Sequence, residues 1–382
     1  MIFHNFAGMK KVYLDNASTT QIRPEVIQEM AKILSEDYGN PSSTHSFGRN
    51  AKNILELSRK SIASLLNASA QEIIFTSGAT EATNWILRSA IKDSKVKRII
   101  TSKIEHHAVL DTIQNLQNEF DIQVDYVAID RNGAIDISNL VDLLSKETKT
   151  LVCLMHVNNE IGSVLDLERV GRICKQHDAL FFSDTVQSIG KTEIDLQTIT
   201  TDFIVASAHK FHGPKGVGFA FVRKNSGLQP LFFGGNQEKG FRAGTEAIHQ
   251  IAGMTKALEL SFANLEAERN TILELKKYLI KQLKTTFPKF AINGSEDGFH
   301  TILNVLLPFS EEKTAMILFH LDIKGIAVSR GSACQSGTNK PSHVLAELLS
   351  IDDSKKPSLR ISFSFLNTKE EIDYLIHELK AI

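Results

Sequence analysis

From about residue 70 to residue 222, short apolar runs alternate with amphipathic stretches, and this constrains the fold more than any other feature of the chain. The runs are EIIFTS, KRIITS, TLVCLMHV, ALFFSD, DFIVAS and GVGFAFV, and segments such as ATEATNWILRSAI and HHAVLDTIQNLQ lie between them. Short apolar runs separated by helical patterns read as strands covered on both faces, which a mostly parallel sheet flanked by helices provides. The expected class is therefore α/β, with ligands bound beyond the carboxyl ends of the strands. A long helical pattern then runs from about Thr245 to Lys284. Beyond it TILNVLLP, EKTAMILFHL and SLRISFS mix helix and strand, as in a smaller α+β domain. The expected division is a large body over 22–255 and a small one made of 1–21 with 256–382.

Charge excludes some functions. The chain of 382 residues carries 43 basic and 44 acidic side chains, a net charge of −1, which gives no electrostatic case for nucleic acid or an anionic membrane. No apolar run approaches the ~18 residues that span a bilayer. The opening MIFHNFAGMKKVYLDNAST lacks the apolar stretch of a signal peptide, and Met9 is a second candidate start. Three scattered cysteines make neither a disulfide framework nor a zinc cluster, so a reducing, cytoplasmic setting is expected. Cys153 and Cys174 fall in apolar strand and helix patterns and are expected in the core. Cys334 sits among small polar residues on a loop at about 329–341, as a reactive thiol or as an incidental surface cysteine.

Polar residues stand where the strands end. Ser77-Gly78-Ala79-Thr80 passes from a strand into a helix and could cradle an anion, or simply turn and cap. His106 and His107 follow the next strand, Asn158 and Asn159 another. Asp184 closes ALFFSD with Gln187 three residues on, and Ser207, His209 and Lys210 close DFIVAS. One such strand end means little, but five on one rim form a candidate site. Their chemistry is complementary. A lysine can form a Schiff base with an aldehyde, a carboxylate can pair with a pyridinium nitrogen, and hydroxyls with backbone amides can hold a phosphate. A histidine can stack on a flat ring and move protons. These are the needs of pyridoxal 5'-phosphate. The Gly-rich GPKGVG is no P-loop, and neither H-E-x-x-H nor C-x-x-C occurs, so a metal is not expected.

The strings VYLDNASTT, GNPSSTHSFG, FTSGATEATN, EHHAVLD, MHVNNEIG, DTVQSIGK, SAHKFHGPKGVG, RAGT and GSACQSG…PSHVL occur in order over nearly the whole chain. In this it resembles the pyridoxal-phosphate cysteine desulfurases of the aminotransferase class V superfamily, specifically their first group, the housekeeping and nitrogen-fixation type. The resemblance implies fold type I and a homodimer that turns L-cysteine into L-alanine. The released sulfur is left as a persulfide on Cys334 for a protein acceptor, serving iron–sulfur assembly or tRNA thiolation. It implies that Lys210 bonds the cofactor's aldehyde, Asp184 faces the ring nitrogen, Gln187 the ring hydroxyl, and His106 stacks on the ring. Ala79, Thr80, Ser207 and His209 would hold the phosphate, with Thr245 reaching it from the other subunit. Asn159 and Arg360 would orient the substrate. Thr185 near the ring face, Asn236, Arg330, the missing arginine after Arg360 and an early C-terminus depart from the pattern. A selenocysteine lyase, an aminotransferase and a non-catalytic sulfur-relay protein that keeps the cofactor are the competing readings.

Overall fold

The computed structural model describes residues 11–330 and 342–382. Among these, twelve strands form three sheets. They are β1 (Val12–Tyr13), β2 (Ile73–Thr76), β3 (Arg98–Thr101), β4 (Gln123–Tyr126), β5 (Thr150–Cys153), β6 (Leu180–Asp184), β7 (Phe203–Ser207), β8 (Gly218–Val222), β9 (Ala291–Asn293), β10 (Ile302–Leu306), β11 (Ile326–Ala327) and β12 (Ser358–Ser362). The large sheet runs β2-β8-β7-β6-β5-β3-β4. Its pairs are parallel except those of β8, which lies antiparallel to both β2 and β7. All six apolar runs are strands of this sheet. The seventh, β4, has the sequence QVDY and sits at the edge half in solvent. Its residues are exposed or half-buried, so it leaves no apolar run to read, unlike β2, the fully buried strand at the other edge.

Alternation of side chains across the sheet explains the layering. Phe181, Ile204, Phe219 and Phe221 point to one face and pack with Leu55, Ile62, Met254 and Leu258. These come from helices Ser46–Leu65 and Ile248–Ala263. Their neighbours Phe182, Phe203, Val205 and Ala220 point the other way onto Trp85, Ile86, Val109 and Ile113, from helices Ala79–Lys92 and His107–Glu119. Each fully buried Phe contributes about 1.5–3 kcal/mol. Cys153 and Cys174 are both buried in these clusters.

The helical pattern expected to be continuous to Lys284 is two helices, Ile248–Ala263 and Leu265–Thr286, meeting at Asn264. Asn264 leaves helical geometry, and its Nδ2 donates to Leu260 O at 2.8 Å. Asparagine competes for backbone groups in this way. The halves also serve different cores. Met254 and Leu258 join the large sheet, while Leu275, Leu279 and Leu283 join a third cluster with Leu303, Ile361 and Leu379. That cluster surrounds the antiparallel sheet β12-β10-β9 and includes Val12 and Leu14 from the N-terminal arm. β1 pairs in parallel with β11, so the arm packs with that third cluster.

Candidate active site

Strands β2, β3, β5, β6 and β7 end on one rim, and residues at and just beyond their ends converge on a cavity of about 240 Å³. Its walls include Ala79, Thr80, His106, Asn159, Asp184, Gln187, Ser207, His209, Lys210 and Arg360. Ten of the twelve residues expected from sequence therefore share one space. Thr245 does not: it lines a different pocket with Ser77, Glu238, Arg242 and Gln250. Cys334 lies outside the described residues.

The lysine is anchored by backbone. Lys210 Nζ donates to Ala17 O at 2.7 Å and to Ser18 O at 2.9 Å. Gln187 Nε2 donates to the same Ala17 carbonyl at 2.9 Å, and Lys191 Nζ to Gln187 Oε1 at 3.4 Å. Asp184, at the end of β6, is 6% exposed, and its Oδ1 accepts the Val186 N–H at 2.9 Å. Burial raises its pKa, and the charges of His106 and Lys210 draw it partly back. His106 caps its helix: its Nδ1 accepts the Ala108 N–H at 3.1 Å. The neutral ring therefore carries its proton on Nε2. Burial lowers the His106 pKa and favours that neutral form.

Opposite these groups, Ser207 Oγ accepts the Ala79 N–H at 2.8 Å at the start of helix Ala79–Lys92. Gly78 precedes it with φ +154 and no side-chain cap, which leaves other first-turn N–H groups available to an anion. Close approach is built in here, since a Cβ on Gly218 would fall 2.2 Å from Ala206 O and 2.8 Å from Gly78 Cα. His209 Nδ1 lies 3.1 Å from Thr19 Oγ1. Arg360, on β12 and 1% exposed, donates to Asn159 O at 3.0 Å, Ser18 Oγ at 2.6 Å and Asp15 Oδ1 at 2.9 Å.

Thr185 is not at the cavity wall. Its side chain is buried, and its Oγ1 donates to Val205 O at 2.9 Å, so the ring-face placement expected from sequence is corrected. The wall beside it is Val186. Sequence reasoning also missed Asp15, Ala17 and Ser18 as parts of the site, although the DNAST string that holds them was visible. Glu105 was missed as well. It is 1% exposed, and its Oε1 accepts from Ser102 Oγ at 2.8 Å and Met155 N at 3.1 Å. Burial pushes its pKa up to about 8, and its Oε1 ties the segment just before His106 to Met155.

The loop that carries Thr245 is pinned to the sheet by a buried ion pair. Arg59 NH1 and NH2 each donate to Glu238 at 2.7 Å, and Phe75 N donates to Glu238 Oε2 at 2.7 Å. Glu238→Ala is expected to cost about 3–5 kcal/mol in denaturant unfolding, because the buried guanidinium loses both short bonds to its carboxylate, keeping only Ile73 O and Glu56, and Phe75 N loses its acceptor. Arg59→Met combined with Glu238→Leu should recover most of that loss.

The residues fit pyridoxal phosphate. A buried carboxylate requires a cationic or donor partner, and a pyridinium N–H facing Asp184 is one. The helix start with Ser207 and His209 suits a phosphate, and Lys210 an aldehyde. Fold and site together define a pyridoxal-phosphate enzyme of fold type I. The aminotransferase class-V family model matches residues 12–375. Cysteine desulfurase IscS of Dictyoglomus turgidum is 38% identical over 98% of this chain and 94% of its own. A solved NifS-like protein superposes with a TM-score of 0.90 at 35% identity, covering 97% of this chain and 99% of that one. The solved structure of SspA in complex with cysteine gives a TM-score of 0.82 at 29% identity, over 94% and 100%. The chain belongs to the aminotransferase class-V family and, within it, to the cysteine desulfurases, which depend on pyridoxal phosphate.

Buried histidines set an acid limit. Burial lowers the pKa of His156 and of His212 to about 4 and that of His300 to about 3. Between the unfolded value near 6.5 and these folded values, the unfolded chain binds more protons. Stability is therefore full above pH ~6.5 and falls as pH drops, by up to about 1.4 kcal/mol per pH unit for each histidine. Thermal melts at stepwise lower pH check this; a midpoint flat from pH 7 to 5 contradicts it.

Proposed function

We propose that this enzyme converts L-cysteine to L-alanine and leaves the sulfur as a persulfide on Cys334 for a protein acceptor. The observation that carries the reading is the meeting of Lys210, Asp184, His106 and Arg360 in one cavity. When bound, pyridoxal phosphate supplies an electron sink for the pair left by the substrate's α proton. Asp184 would keep the ring nitrogen cationic, Gln187 would bond the ring hydroxyl, and His106 would lie against the ring. Ala79, Thr80, Ser207 and His209 would hold the phosphate. Lys210 Nζ would be the amine that holds the aldehyde, and it is the amine at hand to take up the substrate's α proton. Arg360 receives the substrate carboxylate, with Asn159 beside it. His106 Nε2–H can donate a proton as the substrate carbon loses sulfur. The balance closes internally. The carbon–sulfur bond breaks, the carbon gains hydrogen, and the Cys334 thiolate forms a sulfur–sulfur bond, so the substrate carbon is reduced as the sulfur is oxidised.

The proposal includes a homodimer in which Thr245 completes the partner's phosphate site. Its separation from the cavity of its own chain supports this. It also includes the division into 22–255 and 1–21 with 256–382, supported by the gathering of Val12 and Leu14 with residues 272–379. Among the described residues no helix is long and apolar enough to cross a membrane, and we place the enzyme in the cytoplasm. The acceptor is a scaffold or carrier protein of iron–sulfur assembly or tRNA thiolation. The test is incubation of the yellow holoenzyme with L-cysteine and a reductant. Alanine and sulfide are expected in equal amounts. Pyruvate-dependent transamination without sulfide would replace the reading by an aminotransferase.

A further inference from the structure

We infer that Asp15 is a positioning residue that sets the substrate-carboxylate affinity of Arg360; the inference rests on the cofactor and substrate reading above. Asp15 is absent from the cavity wall, yet its Oδ1 gathers three donors: Arg360 NH2, Ser18 Oγ and Ser329 Oγ, each at 2.9 Å. The guanidinium is thus held from behind. NH1 is committed to Asn159 O and NH2 to Asp15 and Ser18, and among the described residues buried Nε has no acceptor. Arg360 lines the cavity together with Ser18, whose hydroxyl its NH2 bonds, so the orientation that Asp15 gives NH2 is the one in which the guanidinium meets an incoming carboxylate.

The clamp is also tied to backbone on both sides. Arg360 N donates to Ser329 O at 2.7 Å, and Ser362 N to Leu14 O at 2.8 Å. One turn further on, the same N-terminal segment turns its Ala17 and Ser18 carbonyls to Lys210. Residues 15–18 therefore join the carboxylate clamp on β12 to the cofactor lysine after β7 and set the spacing between them. An amino acid must be gripped at its carboxylate and its amine at once, so that spacing decides how well both are met. A hydrogen bond to a charged partner at such a joint is worth a substantial fold-change in affinity.

The experiment titrates the holoenzyme, following the cofactor's visible band, with L-alanine and with ethylamine, which lacks only the carboxylate. Asp15→Ala is expected to weaken L-alanine by about tenfold or more and to leave ethylamine unchanged. It should also raise KM for L-cysteine by a similar factor with a smaller effect on kcat. Asp15→Asn keeps an Oδ1 acceptor and should restore L-alanine to within about threefold of wild type. Should Asp15→Ala fail to fold or to hold the cofactor, Ser329→Ala carries the test. It removes one bond to Asp15 and no charge, and an L-alanine-selective loss of about threefold is expected. Proportional loss of both ligands, no loss, or tighter L-alanine overturns the inference while the colour and alanine production of wild type uphold the enzyme. A wild type without the band overturns both.

Discussion

Lys210→Ala is expected to lose turnover by at least about 10³-fold while the protein still takes up cofactor. The estimate combines two losses. Without the amine no covalent link to the aldehyde forms, and no positioned base remains for the α proton, a role worth roughly 10²–10⁴ by itself. Binding should persist because the groups proposed to hold the phosphate belong to other elements: the start of helix Ala79–Lys92, Ser207 at the end of its strand, and His209 against Thr19. Lys191 does not replace the missing amine. Its Nζ is engaged with Gln187 Oε1, and it is not part of the cavity wall. Borohydride treatment followed by mass spectrometry is the measurement. Wild type is expected to carry a reduced adduct at residue 210, the variant none, with its bound cofactor released on denaturation. An adduct at Lys191, or turnover within tenfold of wild type, would refute the assignment.

Much of this site could be read from sequence because its central groups sit where strand patterns stop. Asp184 follows FFS and Lys210 follows IVASAH, and a residue just past a buried parallel strand has few places to point. Arg360 was reachable only through the family resemblance, since within SLRISFS it looks like one more strand residue. What remained hidden acts through groups that every residue type possesses. Ala17 and Ser18 hold the lysine with their carbonyls, and a carbonyl leaves no trace in side-chain chemistry. Asp15 and Glu105 work one layer behind the residues that line the cavity, so their partners exist only after the chain has folded. The break at Asn264 was hidden for a related reason. Two amphipathic faces that serve different cores can follow one another in a single helical pattern. Thr185 shows the opposite error: proximity to Asp184 in sequence placed it by the ring, whereas its hydroxyl is spent on Val205 O.

The second large effect concerns the sulfur. Cys334→Ala is expected to lower alanine and sulfide formation together, by about 10² or more, while cofactor colour and L-alanine binding stay at wild-type levels. Cleavage of the carbon–sulfur bond needs a nucleophile that accepts the sulfur, and the chain has three cysteines. Two are disqualified by where they lie. Cys153 is 0% exposed and Cys174 1%, each packed in a sheet-facing cluster. Burial pushes the Cys174 thiol up to about 12 and Cys153 well above its ordinary value, so neither is a thiolate near neutral pH. That leaves the proposed Cys334 or an added thiol to take up the sulfur, and the two are separable. A small-thiol reductant should restore part of the sulfide in the variant in proportion to its concentration. A phosphine reductant, which has no thiol, should restore none. In wild type stopped without reductant, peptide mass spectrometry should find one extra sulfur atom on Cys334 and none on Cys153 or Cys174. Iodoacetamide should block that addition and label Cys334 alone in the folded enzyme. Full activity of the alanine variant with the phosphine would show that sulfur leaves without a protein thiol, and the persulfide half of the mechanism would have to be abandoned while the Lys210 half stood.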